Sequence, residues 1–215
     1  EGDHFNPQRW PTWIDNSNGT YTIQEEGKAR KVVEAQECIR FVTVDWAFSV
    51  KKAADFSAIG AFALAPDGEL LILEVVNRRL GLHQLAPEIA NVCQRHLPAF
   101  VAVESGHPSL RDDMVRYPSI PTVRWLSTGS KDKLVRAVPA VVKGASGEIY
   151  RPIPSPLWWS DYESQVKSFN GLTDEKDDQV DMTAYASQIA RELKPHARTT
   201  SEHWPDMLTE GRTPF

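Results

Sequence analysis

Cysteine is nearly absent from the 215 residues: Cys38 and Cys93 alone frame no disulfide scaffold and no zinc cluster, and they suit a reducing compartment. Long apolar runs are missing too. None reaches the roughly 18 residues a membrane-spanning helix needs, and the first residues lack the basic-then-apolar pattern of a signal peptide. Positive charge is not in excess, since 24 Lys and Arg face 29 Asp and Glu for a net charge of -5. That excludes nucleic-acid binding through overall basicity but leaves room for a local basic face. No G-x-x-x-x-G-K-[ST] phosphate loop is present, and no internal repeat. What remains is a chain with 41% hydrophobic residues, enough to fill the core of one large domain. We expect a soluble domain of intracellular type. The chain opens with Glu1 in place of Met, so an excised fragment is expected.

Residues 1–37 carry Pro7, Pro11 and the polar run Asn16-Ser17-Asn18-Gly19 without a sustained period, and read as an arm or linker. Three β-rich runs follow, Ile39 to Val44, Phe56 to Leu64 and Glu69 to Val76. The Asp67-Gly68 pair between the last two is a hairpin signal, so an antiparallel meander is predicted. Leu85, Ile89, Val92 and Cys93 recur at helical spacing within His83 to His96, ahead of the apolar run 100-FVAVE-104. A short helix near Leu110 to Arg116, a strand at 121-PTVRWL-126 and a helix from Lys131 to Lys143 come next. After the proline-rich break 152-PIPSP-156, helices are predicted over Leu157 to Phe169 and Asp174 to Leu193, with an irregular tail over 195–215. The order predicts an α/β fold, a mixed sheet flanked by helices, occupying residues 38–194.

Two apolar strands end in an acid, Asp45 after 41-FVTV-44 and Glu104 after 100-FVAV-103. A lone strand-terminal Asp is ordinarily a turn or capping residue. Two such strands side by side would instead converge their carboxylates on one sheet edge. A third group lies in 174-DEKDDQVD-181, where five of eight residues are acidic and Asp177, Asp178 and Asp181 share a helical face. The helix dipole rewards acids in a first turn by about 0.3–1 kcal/mol each, yet this crowding exceeds what capping requires. A hard divalent cation, Mg²⁺ or Mn²⁺, would relieve it. Three acidic positions of this kind can hold two ions for phosphoryl transfer.

These residues resemble a known family. The Asp-bearing first strand of a hairpin sheet, 101-VAVES-105 after a helix, and 176-KDDQVDMTAYA-186 on a late helix resemble the RNase H-like nuclease fold, an antiparallel three-strand meander extended by parallel strands. More narrowly they are similar to the C-terminal nuclease domain of phage large terminases. The stretches 2-GDHFNPQRW-10, 131-KDKLVRAVPAVVKGASGEIYRP-152 and 162-YESQVKSF-169 carry the narrower likeness. It implies Asp45, Glu104 and Asp178 as catalytic acids, Asp177 as a fourth metal ligand and Asp181 as a supporting acid, with two Mg²⁺ or Mn²⁺ ions. Lys176 stands where many relatives have His. The implied partners are double-stranded DNA, an N-terminal ATPase domain of the same protein, the portal protein and the small terminase subunit, in the host cell cytoplasm and with no membrane.

Lys131, Lys133, Arg136 and Lys143 lie on or beside one predicted helix and are candidate DNA-phosphate contacts, which Arg78 and Arg79 would extend; a plain solvated face is the alternative. Trp158 and Trp159 read as packing residues, and His107 as a loop residue beside Glu104. Metal-dependent endonuclease is the expected function. A Holliday-junction resolvase on the same fold, or a catalytically silent module that docks on a motor or portal, are the alternatives.

Overall fold

A computed structural model describes residues 4–46, 56–105, 108–127, 133–171 and 177–197, with side chains described as far as Leu193. Three short strands, β1 (Thr12–Asp15), β2 (Thr20–Gln24) and β3 (Lys31–Glu34), precede the meander β4 (Ile39–Asp45), β5 (Ser57–Leu64) and β6 (Leu70–Arg78). Then follow α1 (Leu82–His96), β7 (Phe100–Glu104), α2 (Pro108–Met114), β8 (Thr122–Leu126), α3 (Lys133–Ala145), β9 (Ile149–Pro152), α4 (Trp159–Ser168) and α5 (Asp178–Ala197). The described strands form one sheet in the order β3-β2-β1-β9-β6-β5-β4-β7-β8. The meander is antiparallel, β7 and β8 are added parallel to β4, and the helices cover the faces, as the sequence predicts.

The irregular arm expected over residues 1–37 is corrected. Residues 12–34 are strands, and β1 joins the main sheet by pairing parallel with β9 at Thr12–Arg151. The polar run taken for a linker is the loop of the β1–β2 hairpin: Ser17 and Gly19 adopt left-handed backbone, and Asn18 Oδ1 accepts from the Thr20 amide. At the other end, α5 continues to Ala197, past the expected boundary at residue 194.

Alternation along β4 and β7 divides the core. Val42, Val44, Val101 and Val103 face α1 and α2, where Leu85, Ile89, Leu110 and Met114 are buried. Phe41, Phe62 and Phe100 face the other side and stack in a row, with ring centroids 5.8 and 5.4 Å apart. On that side α5 is buried along most of its length from Val180 to Ala190. It lies close on β5 because Gly60 has no side chain: a Cβ there would stand 2.5 Å from Met182 Sδ. Thr43 Oγ1 donates to the Met182 carbonyl at 2.9 Å, fixing α5 over the middle of β4. Trp158 and Trp159 pack with Tyr162 in an aromatic cluster that Trp10 joins through Trp159 and Tyr162, so the expected packing role holds.

Candidate active site

Val44 pairs with Val103 in parallel register, so the next residues, Asp45 and Glu104, end neighbouring strands, roughly 4.8 Å apart in strand spacing. Since Thr43 points to α5 and Val44 to the opposite core, the pleat turns Asp45 toward α5. Glu104 follows the same alternation after Val103. On α5, Asp178, Asp181 and Tyr185 recur at i, i+3 and i+7 and form one face. Tyr185 donates its hydroxyl to Glu104 Oε2 at 3.1 Å, which closes the cluster across the helix–sheet interface.

The electrostatics follow from this crowding. Burial chiefly, then the charges of Asp181, Glu104 and Asp178, push the Asp45 carboxyl well above the carboxylate range, and a hydrogen bond with Glu104 adds to the rise. Asp181 is pushed up to about 7 by burial, opposed by Arg136 and reinforced by Asp177 and Glu104. Burial and the surrounding acids also raise Tyr185, so its phenol stays a proton donor.

The cations of α3 stand differently from the expectation. Arg136 Nη2 pairs with Asp181 Oδ2 at 2.8 Å, and Lys133 Nζ reaches Asp177 at 2.9 Å. Lys143 is buried, paired with Glu148 at 2.7 Å, and donates to the Gly68 carbonyl. The basic outer face expected on this helix is therefore corrected. Lys133, Arg136, Ala137, Ala140, Lys143 and Gly144 form one inward stripe, where Ala137 and Ala140 are fully buried and a Cβ on Gly144 would press on Trp10. Leu134, Val135, Val138 and Val142 are exposed instead. Lys131, Lys176 and His107 lie outside the described residues.

The sequence-predicted acids are thus brought together: Asp45, Glu104 and Asp178 with Asp181, while Asp177 is held by Lys133 at the mouth of α5. Sequence reasoning missed Tyr185, whose signal was its position four residues after Asp181, and it placed Asp181 at the margin, whereas its charge weighs more on Asp45 than those of Glu104 and Asp178. It also missed the side-chain bonds that set the first turn of α5: Asp161 Oδ2 accepts from Gln179 and Asn77 at 3.2 and 3.3 Å, and Gln165 Oε1 accepts the Gln179 amide. A groove of about 320 Å³ is lined by Arg136 and Tyr185, the partners of Asp181 and Glu104, and by Trp125, Ser127, Gln188 and Glu192. Among the described residues, no three His, Cys, Asp or Glu side chains are gathered as a finished metal cage. The donor set, all carboxylate oxygen, is of the kind hard divalent cations take.

No protein-family model matches the chain, and no curated protein matches it in sequence. Solved structures do. The human cytomegalovirus terminase nuclease domain, Mn soaked and inhibitor bound, is 13% identical, with 74% of this chain and 85% of that chain covered and a TM-score of 0.54. The large terminase nuclease from thermophilic phage G20c with bound zinc is 10% identical, covering 87% of this chain and 98% of that one at a TM-score of 0.58. The Thermus phage P74-26 large terminase nuclease domain is 12% identical, with 70% and 79% covered and a TM-score of 0.51. The chain has the fold of these nuclease domains, the RNase H-like mixed sheet flanked by helices.

Proposed function

We propose that this chain is a metal-dependent DNA endonuclease, the nuclease part of a viral DNA-packaging terminase large subunit. One observation carries the reading: Asp45 and Glu104, on adjacent parallel strands, share a hydrogen bond beneath the acidic face of α5, where the charges of Asp181, Glu104 and Asp178 bear on the buried Asp45 carboxyl. A fold element has no structural need for such a cluster, because each buried like charge costs stability. It suits a site that takes up cations.

In this reading Asp45, Glu104, Asp177 and Asp178 hold two Mg²⁺ or Mn²⁺ ions, with Asp181 and Tyr185 supporting them. Bound ions of this kind supply an activated water and neutralise charge on the leaving oxygen of a phosphodiester. The chain's own residues do the positioning. Tyr185 fixes the orientation of Glu104, and the bonds of Gln179 to Asp161 and Gln165 hold the first turn of α5, and so Asp178, at a set height above β4.

Duplex DNA would lie across the sheet edge where Asp45 ends. Register runs from Asp45 to Ala58, and from Ala58 to Asn77, so Arg78 at the end of β6 shares that edge. Arg78 and Arg79 are exposed there, and exposed Arg111 stacks on Trp125 beyond Glu104. These take the backbone-contacting role first expected of α3, without reading sequence. An N-terminal ATPase domain, the portal protein and the small terminase subunit are the proposed partners, in the host cell cytoplasm.

The test is incubation of the purified chain with supercoiled plasmid plus Mg²⁺, Mn²⁺, Ca²⁺ or EDTA. Nicking and linearisation with Mn²⁺ or Mg²⁺, none with EDTA, and little sequence preference are expected. Persistence of supercoiled plasmid in every metal would overturn the reading.

A further inference from the structure

The acid cluster carries its own cations. Arg136 and Lys133, one helical turn apart on α3, each reach a carboxylate of the first turns of α5, and both pairs are largely shielded: the side chains of Arg136 and Asp181 are 20% and 7% exposed, those of Lys133 and Asp177 25% and 13%. Pairs this sheltered are screened far less than surface ion pairs. Their grip is nonetheless incomplete. Arg136 Nε is buried without a hydrogen-bond partner among the described residues, so the guanidinium meets Asp181 from its Nη end and leaves the side-on Nε–Nη fork unmade. The same guanidinium feels the charges of Asp45 and Glu104 as well as Asp181. A positive charge already stands among the carboxylates that a divalent cation would use.

We propose that Arg136 and Lys133 are resident counter-cations of the acid cluster, competing with divalent metal for Asp181 and Asp177 and so setting the metal concentration at which the site assembles. This rests on the endonuclease reading of the same site. It accounts for two features together: strand register and the face of α5 bring the acids to one place, yet no three of them, among the described residues, are gathered as a cage. With α3 cations holding two of its five acids, the cluster is partly charge-compensated but not assembled. Entry of a doubly charged ion then displaces them or works against their repulsion. In this arrangement α3 restrains the nuclease when divalent metal is scarce.

The experiment measures metal binding rather than cleavage. Wild type, Lys133→Gln, Arg136→Gln and Arg136→Lys are titrated with MnCl₂ by calorimetry at about pH 8, where free carboxylates are ionised, and melted with and without Mn²⁺. Removing one unit charge about 4 Å from a singly charged ion is worth about fivefold even at the dielectric of bulk water, and the second charge of Mn²⁺ raises that factor. The two Gln variants are therefore expected to bind Mn²⁺ at least about fivefold more tightly, to melt lower without metal, and to gain more from Mn²⁺. Arg136→Lys keeps the charge and should stay near wild type. If Arg136→Gln fails to fold, Lys133→Gln, at the more exposed end of the helix, carries the test. Unchanged or weaker Mn²⁺ binding in the folded Gln variants overturns the competition while leaving the nuclease reading intact. A wild type that takes up no Mn²⁺ overturns both.

Discussion

The phenol of Tyr185 donates to Glu104 Oε2 at 3.1 Å, joining the third turn of α5 to the end of β7. Sheet and helix are otherwise tied near this point by the Thr43 bond to the Met182 carbonyl, which fixes backbone height but not the Glu104 side chain. Tyr185→Phe removes the donor and keeps the ring. The fold should survive with a loss of about 1 kcal/mol, while cleavage falls about tenfold, the scale expected when a partner that orients a metal ligand is removed. Plasmid cleavage rates beside thermal melts check this; wild-type rates would show that Glu104 needs no such orientation.

The raised acids set the sign of the pH dependence. Asp181 moves from 3.8 in the unfolded chain to about 7 when folded, so the native state keeps a proton that the unfolded chain has released. Its stabilisation is full below about 3.8 and is lost as pH rises through about 7, and Asp45 acts in the same direction. Glu74 opposes them only in acid: His96 and Arg95 outweigh its burial and lower it from 4.5 to about 2, so its contribution is complete above 4.5. Without metal, the protein should therefore melt higher near about pH 5 than near about pH 8. Melts in EDTA across that range test it, and a melting temperature that climbs with pH would contradict the acid cluster as described.

Much of this was readable in the chain. The runs 41-FVTV-44 and 100-FVAV-103 are apolar at every position but Thr43 because both faces of these strands are covered, and that is why an acid at each end stood out. The strands over residues 12–34 were hidden because they are short, alternate with polar residues, and owe their place to β1 pairing with β9, nearly 140 positions away by Thr12–Arg151 register. The inward turn of Lys133 and Arg136 was hidden for the same reason. Helical spacing groups them on a stripe with Ala137 and Ala140, but only the tertiary approach of α5 supplies the carboxylates that draw them in. A basic helix beside an acidic site reads alike in sequence whether it faces DNA or the acids.

Lys143 makes that distinction testable. Its ammonium is bonded to Glu148 and to the Gly68 carbonyl of the β5–β6 hairpin, away from Asp45 at the opposite end of the sheet. Lys143→Ala should destabilise the chain by about 1–2 kcal/mol through lost bonds and packing, and leave DNA affinity and its salt dependence unchanged. Each lost phosphate contact would instead flatten the log–log salt slope by about 0.9. Filter-binding titrations at several salt concentrations decide between a structural and a DNA-contacting lysine.

Asp45→Asn separates a metal ligand from a turn residue by two measurements made together. Asn matches Asp in size, and its amide can donate to Glu104 in the hydrogen bond that the two carboxyls share. It removes a charge that burial and three neighbouring acids disfavour, so without metal at about pH 8 the variant should melt at the wild-type temperature or above. Stabilisation by added Mn²⁺ should shrink, because a cation stabilises only through its preference for the native site. Cleavage should fall at least about a hundredfold, the upper end of what losing even an outer partner costs a metal site. Asp178→Asn should behave alike, since its charge is among those raising Asp45. If Asp45 merely closed a strand, the variant would melt lower and cut at a near-normal rate, and the metal assignment built around it would go with it.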